Sequence, residues 1–177
     1  MSSPVSITPL DERLKAELYL AQWYLDVGAP QQAYRLFVRA AQSRHPTALN
    51  MLGRAYERGW GVARDVATAM ALYEAAAEGG EGWAFYNLAD LFLKGDGVLQ
   101  DKAGAYALYV EAARRGISKA FNMLGLLHEE GCGAVAANTE YARHYFEAGA
   151  AAGDNDARIN LAGLLRERSS IDGESHR

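Results

Sequence analysis

One phrase recurs three times along this chain, and it dictates what the chain can fold into. It stands at residues 48–80 (ALNMLGRAYERGWGVARDVATAMALYEAAAEGG), 84–116 (AFYNLADLFLKGDGVLQDKAGAYALYVEAARRG) and 120–153 (AFNMLGLLHEEGCGAVAANTEYARHYFEAGAAAG). Ala48, Ala84 and Ala120 lie 36 residues apart, as do Leu52, Leu88 and Leu124, and Tyr73, Tyr109 and Tyr145. The glycine pairs Gly59/Gly61, Gly95/Gly97 and Gly131/Gly133 keep the same period. Each copy holds two stretches with apolar residues at helical spacing, separated by Gly-x-Gly. A period in this range marks a solenoid, in which each helix pair buries its apolar faces only against its neighbours.

The rest of the chain fits that frame. Thr8, Pro9 and Asp11 form a helix start, with Thr8 as the cap and Asp11 near the positive helix end. The helix that follows carries an apolar face of Leu14, Leu18, Ala21, Tyr24 and Leu25. A second helix from about residue 30 to 43 carries Ala33, Phe37, Ala40 and Ala41. This opening unit lacks the Gly-x-Gly turn. In the later units Asp65, Asp101 and Asn138 are placed to cap each second helix, and the first glycine of each turn to end each first helix. The third turn is the weakest copy, with Ala134 where Val62 and Val98 stand, and it is expected to be the least well ordered. After Gly153, with Asp154 or Asn155 as cap, Ala157, Leu161, Ala162, Leu164 and Leu165 give the inner face of a closing helix. Short linkers make consecutive helices antiparallel neighbours. The expectation is an all-α, right-handed α-solenoid of about nine helices. Its domain spans residues 8–168, divided at 8–45, 46–82, 83–117, 118–153 and 154–168. Loose ends are expected at 1–7 and 169–177.

Composition removes several classes of function. The 177 residues carry 18 basic and 22 acidic side chains, a formal charge of −4, so no basic excess invites nucleic acid. The N-terminus lacks the basic start and apolar run of a secretory signal, and no apolar stretch is long enough to span a membrane. Cys132 is the single cysteine, so no intrachain disulfide forms; a cytoplasmic protein is expected. Gly-x-Gly here follows helices rather than strands and is not a dinucleotide loop. No nucleophile motif, metal-binding spacing or carboxylate pair is recognisable. No catalytic residue, metal or cofactor is expected, and the protein is read as a non-enzyme. Cys132, between two glycines, reads as an inert exposed thiol. His128 takes a packing position shared with Tyr56 and Phe92. Trp60 either offers a contact point at its turn tip or folds over its own unit.

The pattern of Ala48, Leu52, Gly53, Tyr56, Gly59, Gly61, Val62, Asp65, Ala69, Tyr73, Ala76, Ala77 and Gly80 resembles the Sel-one-like repeat (SLR) family. The second copy has Ala89 and Phe92 at the Gly53 and Tyr56 positions. The third has His128 for Tyr56, and Gly149 where Ala77 and Ala113 stand. The opening unit resembles a tetratricopeptide repeat. The resemblance implies an adaptor that holds a protein or peptide on a concave face lined by the first helix of each pair. By that analogy the partner-binding residues are Asn50, Arg54 and Glu57; Trp83, Tyr86, Asp90 and Leu93; and Lys119, Asn122, Leu126 and Glu129. Asn50 and Asn122 suit a peptide backbone, and Trp83, Tyr86 and Leu126 an apolar side chain. Trp83 and Tyr86 instead pack between units if the fold consumes them. The implied setting is a bacterial regulatory, secretion or toxin-neutralising complex. The alternative is a cell-wall or β-lactam hydrolase, like some relatives with a disulfide in each repeat, from which the single cysteine departs.

Overall fold

Side-chain caps set the start of most elements. The structure, a computed structural model, describes residues 9–174, with side chains through residue 166. Its nine helices among the described residues are α1 (Glu12–Asp26), α2 (Pro30–Ala41), α3 (Pro46–Arg58), α4 (Val66–Glu78), α5 (Gly82–Lys94), α6 (Lys102–Arg114), α7 (Ser118–Glu130), α8 (Thr139–Ala151) and α9 (Asn155–Glu174). No strand accompanies them among the described residues. The fold is an all-α solenoid of helical repeats.

The expected caps are in place. Asp65, Asp101 and Asn138 accept backbone N–H bonds from Thr68 (3.1 Å), Gly104 (2.8 Å) and Tyr141 (3.0 Å). Asp154 accepts from Ala157 N at 2.8 Å and starts α9. Such caps satisfy donors that a helix leaves orphaned, each contributing about 1 kcal/mol. At the chain's start the cap is Asp11, which accepts from Leu14 N at 2.7 Å, so α1 begins later than a Thr8 cap requires. Thr8 and the 1–7 segment lie outside the described residues, as do residues 175–177. At the other end α9 runs to Glu174, past the boundary at 168. The polarity that suggested a loose tail does not end a helix, and no proline interrupts residues 169–174.

The chain divides into two compact units, residues 1–100 and 101–177. In the first, each helix packs on the next, α1 on α2 through α4 on α5. One core gathers Ala21, Ala33, Phe37, Leu52 and Ala55; a second joins Leu14, Ala40 and Ala48. In the second unit α6, α7, α8 and α9 pack in sequence and α7 also meets α9, around Ala142, Phe146 and Leu164. Two of the pairs set an aromatic ring directly against a glycine. A Cβ on Gly53 would stand 2.7 Å from Tyr73 Cε1, and one on Gly125 2.4 Å from Phe146 Cε1. Fully burying a ring of this size stabilises by roughly 2–3 kcal/mol, and the missing Cβ is what admits it.

That pairing corrects the register of the third copy. Phe146, not Tyr145, is the buried equivalent of Tyr73 and Tyr109. Gly149 accordingly stands at the Ala76 and Ala112 position, not that of Ala77 and Ala113. The cause is one extra residue in the α7–α8 turn, where seven steps separate Gly131 from Asn138 and six separate Gly59 from Asp65. Val135, half-buried, then takes the place of Val62, while Ala134 is exposed.

The turns also differ in what their glycines do. Gly59 and Gly95 end α3 and α5 in the left-handed conformation, whereas Gly131 has φ 77° and ψ 153°. A Cβ on Gly61 would lie 2.2 Å from the Pro30 carbonyl oxygen, and one on Gly97 2.8 Å from Val66 Cβ. The second glycine therefore admits the start of the preceding unit's second helix. At Gly133 nothing lies within 4 Å.

Candidate functional site

The residues assigned to partner binding separate by what the fold asks of them. In the first unit Asn50 is buried, and its side-chain oxygen accepts from Asn87 Nδ2 at 2.8 Å, tying α3 to α5. In the second unit Asn122 is buried and accepts from Asn160 Nδ2 at 2.8 Å, tying α7 to α9. Asn50 and Asn122, expected to suit a peptide backbone, are instead hydrogen-bonded between helices, where a buried amide must find a partner. Glu57 is similarly occupied. Its carboxylate accepts the Tyr73 hydroxyl at 2.6 Å and pairs with Arg58 Nε at 3.3 Å. Burial and this bond push the Tyr73 pKa well above its ordinary value. Leu126 packs against Ala142, Phe146 and Leu164 and is only half-buried.

The others are more available. Arg54 holds its guanidinium 5.1 Å from the Trp60 ring centroid, a cation–π geometry. Trp60 tilts over Phe37 at 6.4 Å, so it packs back onto the second helix of the preceding pair rather than standing at a turn tip or folding over its own repeat. Trp83 is 42 % exposed and meets Tyr86 edge-to-face at 5.6 Å. Asp90 receives Lys94 at 2.9 Å, and Leu93 is half-buried. Trp83, Tyr86, Asp90 and Leu93 share one stripe of α5, opposite its buried Ala84, Leu88 and Leu91. In the second unit Lys119 and Glu129 are exposed on α7.

The expectation for Cys132 is also corrected, since it is buried. Its N–H donates to Val135 O at 3.1 Å, which folds the longer turn inward. His128 is structural, within an aromatic cluster. Its ring stacks on Tyr145 (5.2 Å, 19°), and its Nε2 lies 3.2 Å from the Tyr106 hydroxyl. Its Nδ1 is buried with no hydrogen-bond partner, and burial holds its pKa below the ordinary value. Among the described residues no group of three or more His, Cys, Asp or Glu side chains is placed to hold a metal ion. No described helix is long and apolar enough to cross a membrane.

Helix pairs recur along the whole described chain, three of them with a Gly-x-Gly turn and each with a buried aromatic in its second helix. The Sel1 repeat family model matches residues 14–45, 46–81, 84–117 and 118–154. The chain belongs to the Sel1 repeat family. The first of these matches lies within the opening unit, which resembles a tetratricopeptide repeat and lacks Gly-x-Gly. Among solved structures, this Sel1 repeat chain is similar to a Sel1 repeat protein from Oxalobacter formigenes, with 28 % identity and TM-score 0.76 over 84 % of this chain and 62 % of that one. It is similar in fold to c5321, a protective antigen of uropathogenic Escherichia coli displaying an SLR fold (23 % identity, TM-score 0.76, 87 % of this chain and 34 % of that one). The immunity protein PA5088 from Pseudomonas aeruginosa also shares the fold, with 22 % identity and TM-score 0.63 over 90 % of this chain and 60 % of that one. The chain thus spans less than two thirds of the length of each of these proteins.

The alternating pairs were missed at the level of sequence, and they leave a signal there. Asn50 and Asn122, Tyr34 and Tyr106, and Tyr56 and His128 are each 72 residues apart, twice the repeat. The Tyr34 and Tyr56 hydroxyls share a hydrogen bond at 2.8 Å, in the place where Tyr106 meets His128.

Proposed function

We propose that this Sel1 repeat protein is an interaction scaffold. It holds a protein or peptide segment against the first helices of its pairs and carries out no reaction itself. In the first unit the contact centres on Trp83 and Tyr86, flanked by Arg54, Asp90 and Leu93; in the second, Lys119 and Glu129 supply charge. The observation that carries this reading is the exposed Trp83. The packing of α5 is met by alanine and leucine, yet the helix presents a large aromatic beside a second one. An exposed tryptophan beside a half-buried tyrosine, bordered by opposite charges, has the composition of a binding hot spot. The setting we favour is a bacterial cytoplasmic complex. The fold shared with an immunity protein supports a toxin-neutralising one.

The test is capture of partners from the native cells by the wild-type chain and by Trp83→Ala and Arg54→Glu variants. Truncating a hot-spot tryptophan costs about 2 kcal/mol or more, so recovery of the partner should fall at least roughly tenfold while the helical circular dichroism is unchanged. Full recovery of every partner by both folded variants would remove the α5 stripe and Arg54 from consideration.

A further inference from the structure

The same groove occurs once in each unit, and its charge differs between them. In the first unit it is an open groove of about 360 Å³ between α4 and α5, floored by Ala77, Phe85 and Leu88 and rimmed by Glu74 and Glu78. In the second unit it lies between α6 and α7, lined by Val110, Ala113, Arg114, Phe121 and Leu124 with Tyr145 of α8. Each of the first five of these stands 36 positions after its counterpart. The repeat thus keeps the floor of alanine, phenylalanine and leucine, and puts a valine and an arginine where the two carboxylates stand.

The fold does not ask for the two acids. Glu74 and Glu78 are exposed, one helical turn apart on the same flank of α4, and among the described residues neither has an ion pair or a hydrogen bond. Like charges at this spacing oppose the helix that carries them. They also stand in the last two turns of α4, where no basic residue offsets the negative end of the helix dipole. In α6 the corresponding Arg114 is the basic residue of the last turn and pairs with Glu111 at 3.2 Å. The groove of the second unit is therefore compensated within its own helix. That of the first unit sets two unneutralised charges beside an apolar floor.

We propose that the α4–α5 groove takes an arginine side chain of a partner protein segment. Arginine matches both parts of the groove. Its aliphatic stem covers apolar surface while the charged head stays in water, so Ala77, Phe85 and Leu88 receive the stem and the guanidinium reaches the rim. There its planar fork donates to Glu74 and Glu78 together, which the single point charge of an ammonium does less well. An acidic side chain would be repelled, and a purely apolar one would leave both carboxylates uncompensated. The groove is open and admits one side chain, so the contact is a single anchor of a longer interface and weak by itself. Phe85 and Leu88 lie on the side of α5 turned from Trp83 and Tyr86, so this contact is tested separately from the α5 stripe.

Nuclear magnetic resonance titration of the isotope-labelled full chain tests the assignment. The probe is the end-blocked peptide Ala-Ala-Arg-Ala-Ala, raised to concentrations on the order of ten millimolar. Its control carries norleucine in place of arginine, which keeps an apolar stem and removes the charge. The arginine peptide should shift the Ala77 and Phe85 signals saturably, and the norleucine peptide should need a severalfold higher concentration for the same shift. Glu74→Gln with Glu78→Gln, a pair of conservative changes at exposed positions, should weaken the arginine peptide severalfold with helicity unchanged. Phe121, on the same floor without the acids, should stay still in the wild type. Four results overturn the proposal: no saturable shift at Phe85, equal titration by the norleucine peptide, a folded glutamine variant that binds as the wild type does, or a Phe121 that responds as strongly as Phe85.

Discussion

His128 shows how one side chain can fit the packing of a repeat and still change its chemistry. Its counterpart Tyr56 shares a hydroxyl bond with Tyr34 at 2.8 Å, whereas His128 meets Tyr106 at 3.2 Å and leaves Nδ1 buried without a partner. The Tyr106 hydroxyl, desolvated and bonded to Tyr145, is pushed up to about 12, so it stays neutral and offers no charge to hold an imidazolium. Burial lowers the His128 pKa below the value it has in the unfolded chain. The unfolded state therefore binds more protons as pH falls through about 6.5, and stability falls with it. The contribution is complete above the unfolded pKa and is lost as pH drops toward the folded one. His128→Tyr reproduces the Tyr34–Tyr56 arrangement and removes the titration. Urea denaturation at about pH 7.5 and about pH 5.5 should show a smaller loss of stability in the variant than in the wild type. Equal losses would mean that His128 is as open to protonation folded as unfolded.

At the scale of elements, the α7–α8 turn explains both what the sequence disclosed and what it hid. The period of 36 disclosed the helix pairs because each pair needs the same small and large residues at the same depth. It hid the register of α8 because one added residue lets Tyr145 keep the period while Phe146 takes the core. Only the fit of a ring against Gly125 distinguishes them. Capping was legible for a related reason: Asp65, Asp101 and Asn138 act on amides two or three residues away. The bonds of Asn50 and Asn122 were not, since their partners lie 37 and 38 residues on and need the helices to be stacked first. An insertion confined to a turn and one inside a helix should therefore behave differently. Deleting exposed Ala134 returns the turn to the spacing of Gly59–Asp65 and should change stability by no more than about 1 kcal/mol. Deleting Ala148 turns the end of α8 by about 100° per residue and should abolish cooperative unfolding of the second unit. Thermal melts of the two deletions decide it, and equal damage from both would show that the turn length is itself essential.

The whole molecule carries its cores in two compact units, and its tryptophans in one. Trp23, Trp60 and Trp83 all precede residue 101, so tryptophan emission reports on the first unit, while far-ultraviolet circular dichroism reports on helices of both. Each unit has its own buried cluster, with Phe37 and Leu52 in one and Phe146 and Leu164 in the other. In a repeat array stability is a sum of local and nearest-neighbour contributions, and a local loss need not spread through the chain. Gly125→Ala provides a lesion restricted to the second unit. The added methyl would stand 2.4 Å from Phe146, a ring with no exposed surface into which it can retreat. Overpacking of this kind costs about 1–3 kcal/mol, only partly offset by the roughly 1 kcal/mol that alanine gains over glycine in a helix. The variant should lower the urea midpoint seen by circular dichroism and broaden that transition, while the midpoint seen by tryptophan emission moves less. If both probes shift together by the same amount, the chain unfolds as one cooperative body, and the two units are a division of its contacts without being a division of its stability.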